Sequence, residues 1–174
     1  MIDVWQLQDK MIAGAESYFL DHNIEYTSPS DNPQKDHAPS LVVIPTYWGK
    51  EKAGIAIDAY TDDYDRPVVD IVGYIPEGIT IDISDMDLLL IVNQENLDSN
   101  GLIFAIESFE SEYRRITIRA VLTSYDYEFP LIQFDEAFNA IRDIIFDYRS
   151  QARKRGNFPV QDEREQAKPA DLPE

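Results

Sequence analysis

Closely spaced carboxylates are the residues of this chain best suited to chemistry. They form two groups of three: Asp82, Asp85 and Asp87, and Asp62, Asp63 and Asp65. Carboxylate oxygens are the ligands that Mg²⁺ and Ca²⁺ prefer, so either group could hold a divalent cation. The first group also has the spacing and charge of a helix N-terminus and lacks the glycine and final glutamate of a calcium-binding loop, while the second falls between two predicted strands. We therefore favour structural roles for both groups and predict no metal site.

Histidine is the usual general base beside a hydroxyl nucleophile, and the chain contains only His22 and His37. His22 is predicted to follow the first helix, where contact with the last carbonyls is favourable, and His37 lies in a proline-rich loop. Glutamates near a strand end could act as acid or base only if one were desolvated; they are Glu107, Glu110 and Glu112. The sequence has neither a Gly-x-Ser-x-Gly motif nor a phosphate-binding glycine loop. We predict no catalytic residue, no cofactor and no enzymatic activity.

Aromatic and basic side chains on predicted strands are the candidate binding residues, because interfaces are enriched in Trp, Tyr and Arg. The candidates are Tyr47, Trp48, Arg115, Arg119, Tyr125 and Tyr127. Core packing accounts equally well for Tyr47 and Trp48. Tyr125 and Tyr127 alternate with Asp126 and Glu128, which fits either an acidic, aromatic groove or a simple extension of the preceding strand.

Composition restricts the class of protein and of partner. The formal net charge is -18, and residues 1–140 carry all of the excess, with 26 acidic and 8 basic side chains. Such a surface repels nucleic-acid phosphates and anionic lipid, so we expect no direct nucleic-acid binding and no membrane binding. The absence of Cys excludes disulfides and thiolate chemistry. The first residues lack the basic flank of a signal peptide and no long apolar run exists, so we expect a cytoplasmic protein.

The first half of the chain predicts one helix followed by an antiparallel meander. Apolar residues recur at helical spacing from about Val4 to Leu20, and residues 28–39 form a proline-rich loop that we expect to be mobile. Three strands follow, at Leu41 to Trp48, Ala53 to Tyr60 and Pro67 to Ile75, and Ile79 to Ile83 could add a short extended segment. Pro45 cannot donate a ladder hydrogen bond, so its strand should lie at an edge or carry a bulge there.

The second half predicts helix, strand, strand, helix. A middle helix starts near Ser84, has its apolar body at Leu88–Val92, and gives way to a turn over residues 93–101. Alternating strands run from Gly101 to Phe109 and from Arg114 to Thr123, with one face packed on helices and the other in water. The last helix has its apolar stripe at Phe134, Phe138, Ile141, Ile145 and Tyr148.

The elements together predict an α+β fold, with an antiparallel sheet of about five strands packed on helices in the order helix, three strands, helix, two strands, helix. Residues 1–156 form a single domain. Residues 157–174 are polar, charged and proline-containing, which is typical of a disordered tail.

One segment resembles a known family. The run Leu88–Asn96, a helix ending in asparagines that leads into the extended Gly101–Ile106, resembles the YbjN family, whose fold is like that of type III secretion chaperones. The resemblance covers about residues 40–150, and the proline-rich insertion before Leu41 and the tail depart from it. It implies an acidic bacterial protein that binds other proteins, has no established chemistry and can form a homodimer.

We therefore favour a noncatalytic protein-binding module, chaperone-like or regulatory, that uses its sheet face or a helix–sheet groove to hold a basic or amphipathic segment of a partner. One alternative is an acidic DNA mimic that inhibits a basic nucleic-acid enzyme. Another is a metal-dependent enzyme that uses the Asp82 group.

Overall fold

A six-stranded antiparallel sheet with three helices makes up the described part of the chain. The computed structural model describes residues 4–28, 41–48, 51–75, 85–98, 101–109 and 113–154. The helices are α1 (Val4–Asp21), α2 (Asp85–Asp98) and α3 (Leu131–Lys154). The strands are β1 (Tyr26–Thr27), β2 (Leu41–Trp48), β3 (Glu51–Thr61), β4 (Pro67–Ile75), β5 (Ile103–Phe109) and β6 (Tyr113–Thr123). This order confirms the predicted α+β class.

The sheet has the strand order β1-β2-β3-β4-β6-β5, and every neighbouring pair is antiparallel. The meander β2-β3-β4 is the one predicted, and the two-residue β1 adds a sixth strand by pairing with Val42 and Val43. The β2–β3 register shifts between Val43 and Thr46, which brackets Pro45 and confirms the predicted bulge.

The end of α1 shows how local sequence fixes the direction of the chain. Asn23 adopts a left-handed φ of 53°, and its N–H donates to the Leu20 carbonyl at 3.2 Å while the Ile24 N–H donates to the Phe19 carbonyl at 2.8 Å. This pair of bonds is a Schellman motif, with asparagine in the position that tolerates positive φ. The His22 ring nitrogen Nδ1 also lies 2.8 Å from the Tyr18 carbonyl oxygen, as expected for a histidine at a helix C-terminus.

The core lies between one face of the sheet and the helices α1 and α3. Alternate residues of β3, β4 and β6 are buried there, and aromatic rings of the two helices interlock above them, with Phe19 and Phe138 centroids 5.3 Å apart. Gly73 of β4 lets α3 approach closely, since a Cβ built there would lie 2.4 Å from Ile141 Cγ2. The predicted stripe on α3 supplies Phe134, Phe138, Ile141 and Ile145, all fully buried.

The middle helix is longer than the sequence indicates. The predicted turn at residues 93–101 is wrong for its first part, because α2 continues to Asp98. The Gln94 amide donates to the Asp98 carboxylate at 2.7 Å, one helical turn later, and Asn96 bonds to the following strand, so neither polar side chain competes with the helix backbone.

Several predicted segments lie outside the described residues: positions 29–39 of the proline-rich loop, Ile79–Ile83, Asp82, His37, Glu110, Glu112 and the tail at 157–174.

Candidate functional site: the outer face of the sheet

The sheet face that points away from α1 and α3 is the candidate site, and we call it the outer face. Its positions alternate with those of the core along β3, β4, β6 and the edge strand β5. It consists of Ala56, Asp58, Tyr60, Val68, Asp70, Val72, Tyr74, Ile103, Ala105, Thr117, Arg119 and Val121. Eight of these twelve are apolar or aromatic, and Ile103 is 53% exposed. No helix in the described part of the chain belongs to the core on this side. Four of the twelve side chains, all on β5 and β6, are exposed: Ile103, Ala105, Arg119 and Val121. Val68, Asp70 and Thr117 are buried, and the other five are half-buried.

A fixed ion pair lies at the centre of the outer face. Arg119 Nε donates to both oxygens of Asp70, at 2.8 and 3.0 Å, and Arg119 Nη2 donates to Asp70 Oδ2 at 2.5 Å. Asp70 is only 7% exposed, whereas the Arg119 side chain is 46% exposed. The hydrogen bond to Asp70 raises the pKa of the Arg119 guanidinium above its ordinary value, with a smaller contribution from the Tyr60 hydroxyl. The guanidinium is therefore a positive charge that Asp70 fixes in position.

A second carboxylate lies directly across the β3–β4 pair. Asp58 is the cross-strand partner of Asp70, and side chains in such pairs have Cβ atoms about 5 Å apart. Asp58 is half-buried and, among the described residues, has no hydrogen-bond or ion-pair partner. Because Arg119 neutralises Asp70, the centre of the outer face retains one uncompensated negative charge at Asp58.

The β3–β4 hairpin extends one end of the outer face. Asp62 Oδ1 accepts from the backbone N–H groups of Tyr64 and Arg66 at 2.9 and 3.0 Å, while Asp62 Oδ2 accepts from Arg66 Nε at 2.8 Å. The hydrogen bond from Arg66 lowers the pKa of Asp62. These contacts confirm that Asp62, Asp63 and Asp65 belong to a hairpin turn, with Asp65 at a left-handed φ of 57°.

The same hairpin end carries one predicted binding residue, Tyr125. The Arg66 guanidinium lies between the rings of Tyr64 and Tyr125, 4.9 and 5.0 Å from their centroids. Tyr125 is 75% exposed, so most of its ring remains available for contact. The stack also ties the hairpin to the segment after β6 through cation–π attraction.

The segment after β6 is a turn, so its interpretation as a strand extension is wrong. Ser124 Oγ donates to the Glu128 carbonyl at 2.6 Å, and Asp126 Oδ1 accepts from the Glu128 N–H at 3.1 Å. That backbone hydrogen bond lowers the pKa of Asp126. Tyr127 has a φ of 61° and is 37% exposed at the tip of the turn. Local hydrogen bonds from Ser and Asp thus outweigh the alternating pattern.

The structure separates the remaining predicted binding residues. Arg119 lies in the centre of the outer face and Tyr125 at the hairpin end. The backbone of Tyr47 and Trp48 pairs with Lys52 and Glu51, at the end of β3 opposite to the Tyr125 hairpin, and Arg115 pairs with Glu107 beyond Arg119. The side chains of Tyr47, Trp48 and Arg115 lie outside the described part of the structure. The six candidates therefore occupy the length of the sheet rather than one cluster.

Three residues that the sequence analysis missed complete the site: Asp58, Asp70 and Tyr60. The signal was available, since both aspartates interrupt apolar strand sequences, Ala-Ile-Asp-Ala and Val-Val-Asp-Ile, at the outward position. What the sequence could not show is their pairing, because the cross-strand register places Asp58 against Asp70. Thr117, two residues before Arg119 on the same face of β6, is buried beside its cross-strand neighbour Tyr74.

A second exposed apolar surface lies on α2. Met86, Leu89, Leu90 and Leu97 recur at helical spacing and are 48–80% exposed, while Val92 on the other side of the helix joins the core. We call this set the α2 stripe.

A polar cluster between α1 and α3 is the nearest approach to a catalytic arrangement. The Tyr18 hydroxyl donates to Asp135 Oδ1 at 2.6 Å, Asn139 Nδ2 donates to the same oxygen at 2.9 Å, and the His22 ring stacks on Tyr18 with centroids 4.2 Å apart. Burial raises the pKa of Tyr18 to about 12. A phenol held neutral in this way is a poor base at neutral pH, and the contacts suit a polar clasp between the helices.

Within the described ranges, no three His, Cys, Asp or Glu side chains converge closely enough to hold a metal ion. None of the helices in that part of the chain is both long and apolar enough to cross a membrane.

Comparison with known proteins places the fold. The chain is an α+β protein with the helices α1 and α3 on one face of an antiparallel sheet. YbjN from E. coli, described as a proposed transcription regulator, has a similar solved structure: the TM-score is 0.55, the sequence identity is 10%, and the match covers 83% of this chain and 93% of YbjN. The resemblance drawn from residues 40–150 is thus confirmed at the level of the fold. No family model and no curated protein matches the chain.

Proposed function

We propose that this chain is a noncatalytic protein-binding module, chaperone-like or regulatory, that holds a segment of another protein against its outer face. The observation that supports this proposal is the mainly apolar outer face, exposed along β5 and β6, around a fixed ion pair. Apolar area supplies contact energy and a few held charges supply specificity, which is the usual composition of a recognition surface.

The net charge selects the kind of partner. At -18, the chain repels nucleic acid and attracts basic proteins. YbjN is described as a proposed transcription regulator. A regulatory role for this chain, in the cytoplasm where we place it, would therefore act through a protein partner and not through DNA.

Quantitative capture from a cell lysate tests the proposal. Ile103→Asp puts a charge on the outer face, and Ile132→Asp makes the same change at an exposed position on α3. We expect the wild-type chain and the Ile132→Asp variant to retain the same reproducible protein partner, and Ile103→Asp to lose it. If no partner is recovered by folded wild-type chain, or if Ile103→Asp retains it fully, the proposal fails.

We also propose that the chain forms a homodimer through the α2 stripe. Four large apolar side chains on one helix face supply an exposed surface of the kind that self-association buries. Light scattering at rising protein concentration should give twice the mass of the chain, and Leu90→Glu with Leu97→Glu should give the single mass. A wild-type chain that stays monomeric throughout would rule out this assembly.

A further inference from the structure

The outer face has no layer of described helices packed on it. Sheets in α+β folds bury apolar faces against helices, and α1 and α3 do this on the core side only. On the opposite side, Ile103, Val121 and Ala105 are exposed beside the Asp70–Arg119 pair, whereas Val68 and Thr117 are buried. What occupies this face can be argued from the edges of the sheet and from its charge.

Both edges of the sheet are poor places for an added strand. At the β5 edge, the Asn96 side chain bonds to both backbone groups of Phe104: Oδ1 accepts from its N–H at 2.7 Å and Nδ2 donates to its carbonyl at 2.9 Å. At the other edge, β1 pairs with Val42 and Val43, and Pro45 has no N–H to offer. These contacts disfavour strand addition at Phe104 and beside Val42 and Val43, and so they favour a partner that lies on the face.

A segment lying on a sheet face receives no backbone hydrogen bonds from the sheet, so it must satisfy its own. An α-helix does so, whereas an isolated extended segment does not. The axes of β3 and β5 are about 14 Å apart at the usual strand spacing of ~4.8 Å. A helix of roughly three turns, ~16 Å long, spans that width.

The negative charge at the centre of the outer face indicates one kind of residue that a helix bound there would carry. Asp58 lies among Ala56, Tyr60 and Asp70 and has no ion-pair partner among the described residues. A carboxylate covered by an apolar helix would lose its hydration without compensation, which is costly, unless a cation arrives with the helix. The neighbouring Asp70 already shows that a carboxylate on this face accepts a guanidinium.

We propose that the outer face binds an amphipathic helix of a partner protein, and that an Arg or Lys within the apolar stripe of this helix pairs with Asp58. This inference rests on the proposed function, since it names the kind of segment that the module holds.

A pair of synthetic helical peptides tests the inference. Both are about 18 residues long, amidated and of identical composition. One carries its single Arg in the centre of a leucine stripe, and the other carries that Arg on the polar face. We expect the wild-type chain to bind the first peptide about tenfold more tightly than the second at about 0.15 M salt, because only the first brings the cation to Asp58.

Matched variants of the chain locate the contact. Asp58→Asn should reduce the preference between the peptides to less than about twofold, and Asp147→Asn, which removes the same charge from the surface of α3, should leave the preference intact. Ile103→Asp should weaken the binding of both peptides, and Leu97→Asp on the α2 stripe should weaken the binding of neither.

Three results would overturn the inference: full preference in Asp58→Asn, loss of binding in Leu97→Asp but not Ile103→Asp, or no binding of either peptide by folded chain. None of these decides the proposed function, which the capture experiment tests separately with natural partners. If a natural partner is captured through the outer face and its binding is unchanged by Asp58→Asn, the proposal of a binding module stands and the proposal of a basic helix is refuted.

Discussion

The Tyr18 hydroxyl links the two core helices, and its ionisation sets an alkaline limit to that link. It donates to Asp135 at 2.6 Å, and burial is the main reason that its pKa rises from 10.0 to about 12. The folded state therefore holds the phenolic proton more tightly than the unfolded state. Its contribution to stability is complete below pH 10 and is lost as the pH rises from about 10 to 12.

Tyr18→Phe should accordingly cost about 1 kcal/mol at pH 7, because it removes the hydrogen bond to Asp135 and the longer one, 3.3 Å, from Asn139. It should also flatten the fall in stability above pH 10. Urea unfolding at a series of pH values measures both effects. The assignment is wrong if the variant loses stability above pH 10 as steeply as the wild-type chain.

The Asp70–Arg119 pair is expected to show the asymmetry of a buried carboxylate. Arg119→Met leaves Asp70 buried without its partner and should cost about 1–3 kcal/mol in the free energy of unfolding. Asp70→Val combined with Arg119→Met removes both charges and should recover most of that loss. Arg142→Met, at an exposed pair 3.9 Å apart, should cost less than about 0.5 kcal/mol. A double variant as unstable as Arg119→Met would contradict this account.

Residue types alone predicted less than half of the candidate site. Arg119 and Tyr125 were found because interfaces favour such side chains, and both lie on or beside the outer face. Asp58 and Asp70 were missed because a lone aspartate in an apolar strand carries no motif. Asp58 and Asp70 are neighbours only because of the β3–β4 register, and this register depends on contacts between whole strands.

At the scale of elements, the approach of α3 to the sheet depends on Gly73. A Cβ at this position would lie 2.4 Å from Ile141 Cγ2, so Gly73→Ala should overpack the core and cost about 1–3 kcal/mol. Gly54→Ala is the matched control, because its Cβ would lie 3.8 Å from the nearest atom, Tyr74 Cδ2. The thermal unfolding midpoint of Gly73→Ala should be clearly lower than that of Gly54→Ala. Equal midpoints would mean that α3 can move away from the sheet without loss of stability.

The connection between α2 and β5 depends on Asn96. Asn96→Ala removes two hydrogen bonds to Phe104 and should cost about 1–2 kcal/mol, with faster amide exchange at Phe104. Gln94→Ala removes one exposed bond to Asp98 on the same helix and should cost about 0.2–0.5 kcal/mol. Unchanged exchange at Phe104 in Asn96→Ala would show that the edge is protected by other contacts.

Elements with a strong local period were predictable, and those that depend on side-chain hydrogen bonds to the backbone were not. Strands β2 and β4 begin and end where alternation and turn residues place them, and α1 differs by one residue. The extension of α2 and the turn at Tyr127 escaped because each depends on a side chain bonding to the backbone, Asn96 to Phe104 and Ser124 to Glu128. β1 has two residues, too few to show a period.

For the whole molecule, the net charge of -18 opposes folding and its local ion pairs favour it. Asp70 with Arg119, Asp62 with Arg66, and Glu128 with Lys10 form contacts of 2.5–2.6 Å. These three pairs, all among the described residues, offset only a small part of the repulsion among the many other carboxylates. Because that repulsion acts over tens of ångströms, it is the term most sensitive to salt.

Added salt should therefore stabilise this protein. Between about 0.01 and 0.1 M NaCl the screening length falls from ~30 to ~10 Å, and the unfolding midpoint should rise by a few degrees. Asp58→Asn should raise the midpoint more at low salt than at high salt, since it removes one of two facing carboxylates. Sucrose at matched osmolality separates screening from solute exclusion, because it leaves the charges unscreened. A midpoint that falls with salt would mean that the ion pairs outweigh the repulsion, and the acidic surface would then be a stabilising network rather than a cost.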